Sequence, residues 1–201
     1  MMNEDDIIKY LPNYLNTKEQ KALFDELNEF PDNIDTRLYS NKLDDNIIYQ
    51  GDGLKDLPIV DLTNIEKGIK LQKCIILSNT CDMDIANKRN FTPSIIYAPI
   101  IALSNYRRYL EKNKIDKEKI KSHIVSIKKQ FITQILFLPA NNTIEDSLVF
   151  LDRIQNIDYR YISRKTLEER RLFTLSNYGF YLFIYKLSIH FLRIQERVHR
   201  N

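Results

Sequence analysis

The chain is 201 residues long, with 30 Lys/Arg against 27 Asp/Glu, two cysteines and no tryptophan. That length suits one domain with additions, or two small ones, and needs no disulfides to fold. Cys74 and Cys81 complete no zinc spacing, so no metal or other cofactor is assigned. Few thiols and no signal-peptide pattern predict a cytoplasmic protein. No membrane association is expected, because Asn177, Lys186 and His190 interrupt the apolar run near the C-terminus. The net charge of +3 hides an asymmetry: residues 1–66 hold 6 Lys/Arg against 15 Asp/Glu, and residues 67–201 hold 24 against 12. A basic body can attract phosphate backbones while an acidic part opposes that attraction, or the two are solvated faces of opposite sign.

Residues 1–48 read as an acidic helical segment. Thr17-Lys18-Glu19-Gln20 is a capping box, Leu23, Leu27 and Phe30 recur at helical spacing, and Pro31 stops the helix. Strand patterns begin after the Gly51-Asp52 turn, at 57–62, 74–78 and 95–101. Pro99 lacks an amide donor, so the third strand is expected at a sheet edge or with a bulge. A helical insertion at 104–129 follows, with nine Lys/Arg and three Asp/Glu between Asn105 and Gln130. Strand patterns resume at 132–138 and 147–157, and a mostly apolar helix is expected from about 176 to 197. Short strands joined by turns suit a small antiparallel barrel better than a parallel sheet.

Two pieces of this pattern carry a resemblance. One is the Gly-Asp opening followed by strands ending in Ile76-Leu77-Ser78 and Ala98-Pro99-Ile100. The other is Val149-Phe150-Leu151-Asp152-Arg153-Ile154-Gln155-Asn156-Ile157-Asp158. In this order, over about residues 49–192, they resemble the MazF/PemK-type toxins, as a divergent branch. The resemblance implies an α+β fold: a small SH3-like antiparallel β-barrel over 49–201, with the N-terminal helical segment, the helical insertion and a C-terminal helix added. It also implies action on RNA, as an endoribonuclease of a toxin–antitoxin or phage-defence system. Antitoxin-like partners and a homodimer belong to the same implication.

The family's usual catalytic arginine and threonine are not matched. Leu71-Gln72-Lys73-Cys74 stands where the arginine is expected, and Ile101 stands where the threonine is expected. Lys73 is the nearest cation, but an ammonium cannot form a guanidinium's planar fork on a phosphate. Attack by a ribose hydroxyl needs proton transfer and charge stabilisation. The candidates left are Cys81 and Asp82, within Ser78-Asn79-Thr80-Cys81-Asp82-Met83-Asp84. Asp82 with Asp84 also has the chemistry to hold magnesium. Against a nucleophilic role, nearby carboxylates keep a thiol protonated, and Asn79, Thr80 and Asp82 equally suit a turn that ties off a strand. The alternative to an enzyme is therefore a non-catalytic barrel that binds nucleic acid or a partner protein and regulates it.

Tyr106, Arg107 and Arg108 are candidates for binding RNA or single-stranded nucleic acid, since aromatic rings and guanidinium groups stack on exposed bases. Arg153 and Arg160 form a second basic run. For each, a solvated helix or loop face is the competing explanation.

Overall fold

Helix α1 (Thr17–Asn28) is built from good helix formers with no glycine or proline inside it. Leu23 is buried, and the Asn33 amide donates to the Glu26 carbonyl at 2.6 Å, which accounts for that buried polar side chain. The computed structural model describes residues 17–41, 44, 46–61, 63–84 and 86–192. The capping box involves Thr17 and Gln20, whose side chains lie outside what is described, as do residues beyond Leu192 in the expected C-terminal helix.

The chain forms two compact units, Met1–Asn33 and Ile34–Asn201. In the second, β1 (Tyr39–Ser40) precedes β2 (Gly53–Val60), β3 (Ile69–Ile76) and β4 (Ser94–Ala102). Helices α2 (Leu103–Lys112) and α3 (Lys117–Lys128) fill the insertion. The Asp116 carboxylate caps α3 by accepting from the Glu118 and Lys119 amides. There follow β5 (Ile135–Leu138), β6 (Ser147–Phe150), β7 (Gln155–Asp158), the one-turn α4 (Leu167–Arg170), β8 (Arg171–Leu175) and α5 (Asn177–Leu192). Among the described residues no helix is long and apolar enough to cross a membrane.

The strands of the second unit form one antiparallel sheet of eight, ordered β1-β8-β2-β3-β4-β6-β5 with β7 beside β4. The sheet is not closed, because the strands at the two ends of this path, β1 and β5, do not pair. β2 keeps β8 for only Gly53↔Phe173 and Leu54↔Arg171. A bulge between Leu54 and Leu57, with Asp56 at φ 62°, then bends it away.

β4 is central, contrary to the first of the two placements expected from Pro99, an edge or a bulge. Ser94–Tyr97 pair with β7 and Ile100–Ala102 with β6. Pro99 falls between those two stretches, where neither neighbour needs its missing amide. The expected strand at 147–157 is likewise two strands, separated by a turn in which the Arg153 amide donates to Phe150 O at 3.1 Å.

Alternation along the strands divides the core. Ile75, Ala98, Val149 and Phe173 face a cluster that includes Phe183 of α5. Leu54, Cys74, Ile76, Ile95 and Tyr97 face a second cluster, closed by Met83, Ile162 and Leu167. Ile120, Ile124 and Ile127 of α3 pack in a third, with Ile135, Phe137 and Leu148.

Candidate functional site

β3 ends in three fully buried residues, Cys74, Ile75 and Ile76, and the chain then turns outward at Ser78. The Ser78 hydroxyl accepts from the Ile96 amide at 2.7 Å. Asn79 caps a 3₁₀ turn over Thr80–Met83, its side-chain oxygen accepting from the Cys81 amide at 2.9 Å. The Thr80 hydroxyl accepts from the Gln50 amide at 3.0 Å, and buried Met83 pins the turn from below. Asn79 and Thr80 thus tie off the strand.

Cys81 and Asp82 are spent differently. Both are exposed. The Asp82 carboxylate pairs with the Arg89 guanidinium at 2.8 Å, and the Cys81 carbonyl accepts from the Asn87 amide at 2.6 Å. Asp84 turns one oxygen to the Ala86 amide at 2.8 Å, so the two aspartates hold separate partners. Arg89 is the basic residue at this turn, on the Asp82 carboxylate and the Cys81 carbonyl. Its one signal in the sequence is its place in the polar stretch Asn87-Lys88-Arg89-Asn90.

Lys73 is not brought to Cys81 and Asp82. Its ammonium donates to the Thr143 carbonyl at 3.0 Å. The register Cys74↔Pro99 places it level with the second half of β4, whereas Cys81 lies beyond the end of β3, beside the first half. From Lys73 to Ile76 alone the strand advances about 10 Å. Ile101, paired with Leu148, lies toward the Lys73 end of the sheet. The positions of the family's arginine and threonine and the Cys81 turn therefore occupy opposite ends of the β3–β4 pair.

Next to Arg89 is an open cleft of about 290 Å³ between the β3–β4 loop and the end of β7. Asp84, Arg89, Asn90, Phe91, Tyr159 and Arg160 contribute to its wall. Arg160 is gripped by Asp158 through two bonds of 2.9 and 2.7 Å. Those bonds hold the exposed Asp158 carboxyl at about 2, below its usual range.

The other sequence candidates converge elsewhere. Tyr106 of α2 is half-buried, with its hydroxyl 3.0 Å from the His123 ring and its own ring near-parallel to exposed Tyr109. Its other neighbour is Phe150, edge-on at 5.5 Å between ring centres. The Arg153 guanidinium lies 4.3 Å over that same Phe150 ring. Arg153, from the loop after β6, thus joins a ladder with Tyr106 and Tyr109, and Arg107 and Arg108 are exposed on the same helix. Phe150 and Tyr109 are the links that sequence spacing did not single out. Arg160 belongs to the cleft and not to this ladder.

A buried charge pair supports the strand-end turn. The Asp52 carboxylate accepts from the Tyr49 amide at 2.9 Å and meets the Arg171 guanidinium at 3.3 Å. Burial pushes the Asp52 carboxyl up to about 6, against the pull of Arg171. Between Tyr49 and Asp52, Gln50 makes the bond to Thr80 and a second, at 2.8 Å, to the Leu77 carbonyl. On the other flank, Arg164 donates to the Met83 carbonyl at 2.7 Å, and burial lowers its pKa.

No family model matches this chain, and no curated protein matches it. The chemistry is therefore read from the residues. Two guanidinium groups with unspent N–H donors border a hollow whose wall includes Phe91 and Tyr159. The exposed Cys81 and the Asp82 carboxylate ion-paired to Arg89 are outside its lining and are the proton carriers of the neighbouring turn. A ladder of rings and arginines forms a second surface suited to stacked bases and phosphates.

Proposed function

We propose that this chain is a MazF/PemK-like protein that acts on RNA in the cytoplasm, built on a divergent SH3-like barrel. The carrying observation is the convergence of Arg153, Phe150, Tyr106 and Tyr109 into one ladder on the basic α2–α3 insertion. The barrel part is supported by side chains that reach across the open sheet. The Gln155 amide accepts from Val60 N at 3.0 Å and donates to Val60 O at 2.6 Å, standing in for a strand between β7 and β2. Tyr97 of β4 similarly donates to Pro58 O of β2 at 2.6 Å.

On this reading the activity is that of an endoribonuclease in a toxin–antitoxin or phage-defence setting, with an antitoxin-like protein or a second copy as partner. Cys81 and Asp82 are the groups to move protons, with the Arg89 guanidinium ion-paired to Asp82 beside them. The alternative, a non-catalytic barrel that binds nucleic acid or a partner and regulates it, is favoured by one specific observation. Lys73 is held on the Thr143 carbonyl and Ile101 brings no hydroxyl, so the family's usual catalytic position is empty of chemistry. The test is expression in a bacterial host with total RNA examined for cleavage. Cleavage is expected from the wild type and not from a Cys81→Ala, Asp82→Ala double variant. Intact RNA with retained RNA binding selects the regulatory reading, and the absence of both cleavage and binding rejects action on RNA.

A further inference from the structure

Resting on the RNA reading above, we infer that the cleft beside Arg89 takes one unpaired guanine of a single strand. Its volume of about 290 Å³ lies at the small end of ligand sites, the scale of one base and not of a folded element. Phe91 is 68% exposed on its wall, an aromatic face left in water where a base can stack.

The polar groups select the base. Asp84 accepts from the Ala86 amide with one carboxylate oxygen and its charge also acts on the Arg164 guanidinium, which leaves further lone pairs of the carboxylate for a ligand. Arg89 spends only one terminal nitrogen, on Asp82 and the Cys81 carbonyl, so further N–H donors remain. Guanine carries two adjacent donors, N1–H and the 2-amino group, which suit a carboxylate, and two acceptors, O6 and N7, which suit a guanidinium. Adenine has no N1–H and turns an amine toward any second donor. Cytosine and uracil each offer the carboxylate a single donor group.

Phosphate attraction alone does not account for this site. Asp82 and Asp158 already offset Arg89 and Arg160, and Asp84 adds a negative charge to the wall. Base contacts must supply the selectivity, while the remaining donors of Arg160, whose side chain is 70% exposed, meet the strand's backbone.

The test is fluorescence anisotropy on the full chain with two labelled hexamers, hexauridylate and the same strand with one guanine, and guanosine monophosphate as competitor. The guanine strand should bind about tenfold more tightly, as one good bidentate contact allows. Asp84→Asn retains an acceptor for the Ala86 amide but presents a donor to the base, so it should abolish that preference and leave hexauridylate binding in place. Phe91→Ala, whose exposed ring carries little of the fold, should weaken the guanine strand about fivefold or more. Equal affinity for both strands, a preference that survives Asp84→Asn, or a mononucleotide that competes as well as the strand would each overturn the inference. If both strands bind equally and both are lost in an Arg107→Glu, Arg108→Glu variant, the RNA reading stands and the guanine site falls. If neither strand binds, both fall.

Discussion

Asp52 shows how a single residue sets a condition on the site. Its carboxylate is wholly buried, and Arg171 does not fully compensate for the lost water. A carboxyl raised from 3.8 to about 6 in the folded chain favours the protonated form by about 3 kcal/mol. The sign follows from linkage: this contribution is fully present below about pH 4 and is lost as pH rises through about 6. Asp158, held at about 2, is lost from below and does not enter that window. Asp52→Asn imitates the neutral carboxyl, and Arg171 keeps its bonds to the Ile47 and Asp44 carbonyls. Urea unfolding between pH 4 and 7 should therefore show the wild type weakening across the window relative to Asp52→Asn, which should be no less stable at pH 7. A loss of several kcal/mol in the variant at pH 7 would mean that the ion pair outweighs the cost of burying the charge.

At the scale of elements, α5 lies directly against the turn before β1. A Cβ added at Gly179 would lie 2.2 Å from the Leu38 carbonyl oxygen, a backbone atom that cannot swing aside. Gly179→Ala should push α5 off that turn and lower stability by about 1–3 kcal/mol, the usual cost of overpacking. Thermal unfolding checks this, and an unchanged midpoint would deny the contact. Periodicity shows why some elements were legible and others not. β4 declared itself through Ile95-Ile96-Tyr97-Ala98-Pro99-Ile100-Ile101, and α3 through its Asp116 cap and isoleucine spacing. β8 was not legible, since Arg171-Leu172-Phe173-Thr174-Leu175 follows the charged one-turn α4 without a turn signal and its arginine points to a buried carboxylate. The split of β6 from β7 was hidden because Leu151 continues the apolar run through the turn. Of the site, Cys81 and Asp82 were visible as a polar cluster at a strand end. Arg89 was not, because only the folding back of the 84–93 loop sets it against Asp82. Lys73 was legible only as the cation nearest the family's arginine position, and strand direction carries Cys81 to the other end of the β3–β4 pair.

Across the whole molecule, half of the basic excess of residues 67–201 lies on the insertion. α2 and α3 turn their isoleucines and Tyr106 inward and their lysines and arginines outward, so burial and charge are separated on the same helices. Lys128 pairs with Asp146 at 2.6 Å, whereas Arg108 reaches the neighbouring Asn105 at 3.4 Å. An exposed cation without a strong internal partner retains its counterions until a phosphate displaces them. RNA affinity should therefore fall linearly with the logarithm of salt concentration, at a slope set by the number of phosphates neutralised. Arg107→Glu, Arg108→Glu should reduce that slope by about 1.4, two phosphate contacts on a single strand, and weaken all sequences alike. Neither residue belongs to the packed core, so the variant should melt within about 0.5 kcal/mol of the wild type. Filter binding between 50 and 300 mM salt gives the slope, and the guanine strand gives an internal reference. A slope that stays the same while affinity falls only for guanine-containing strands would move the phosphate contacts from the insertion to the cleft, and the ladder would then serve packing alone.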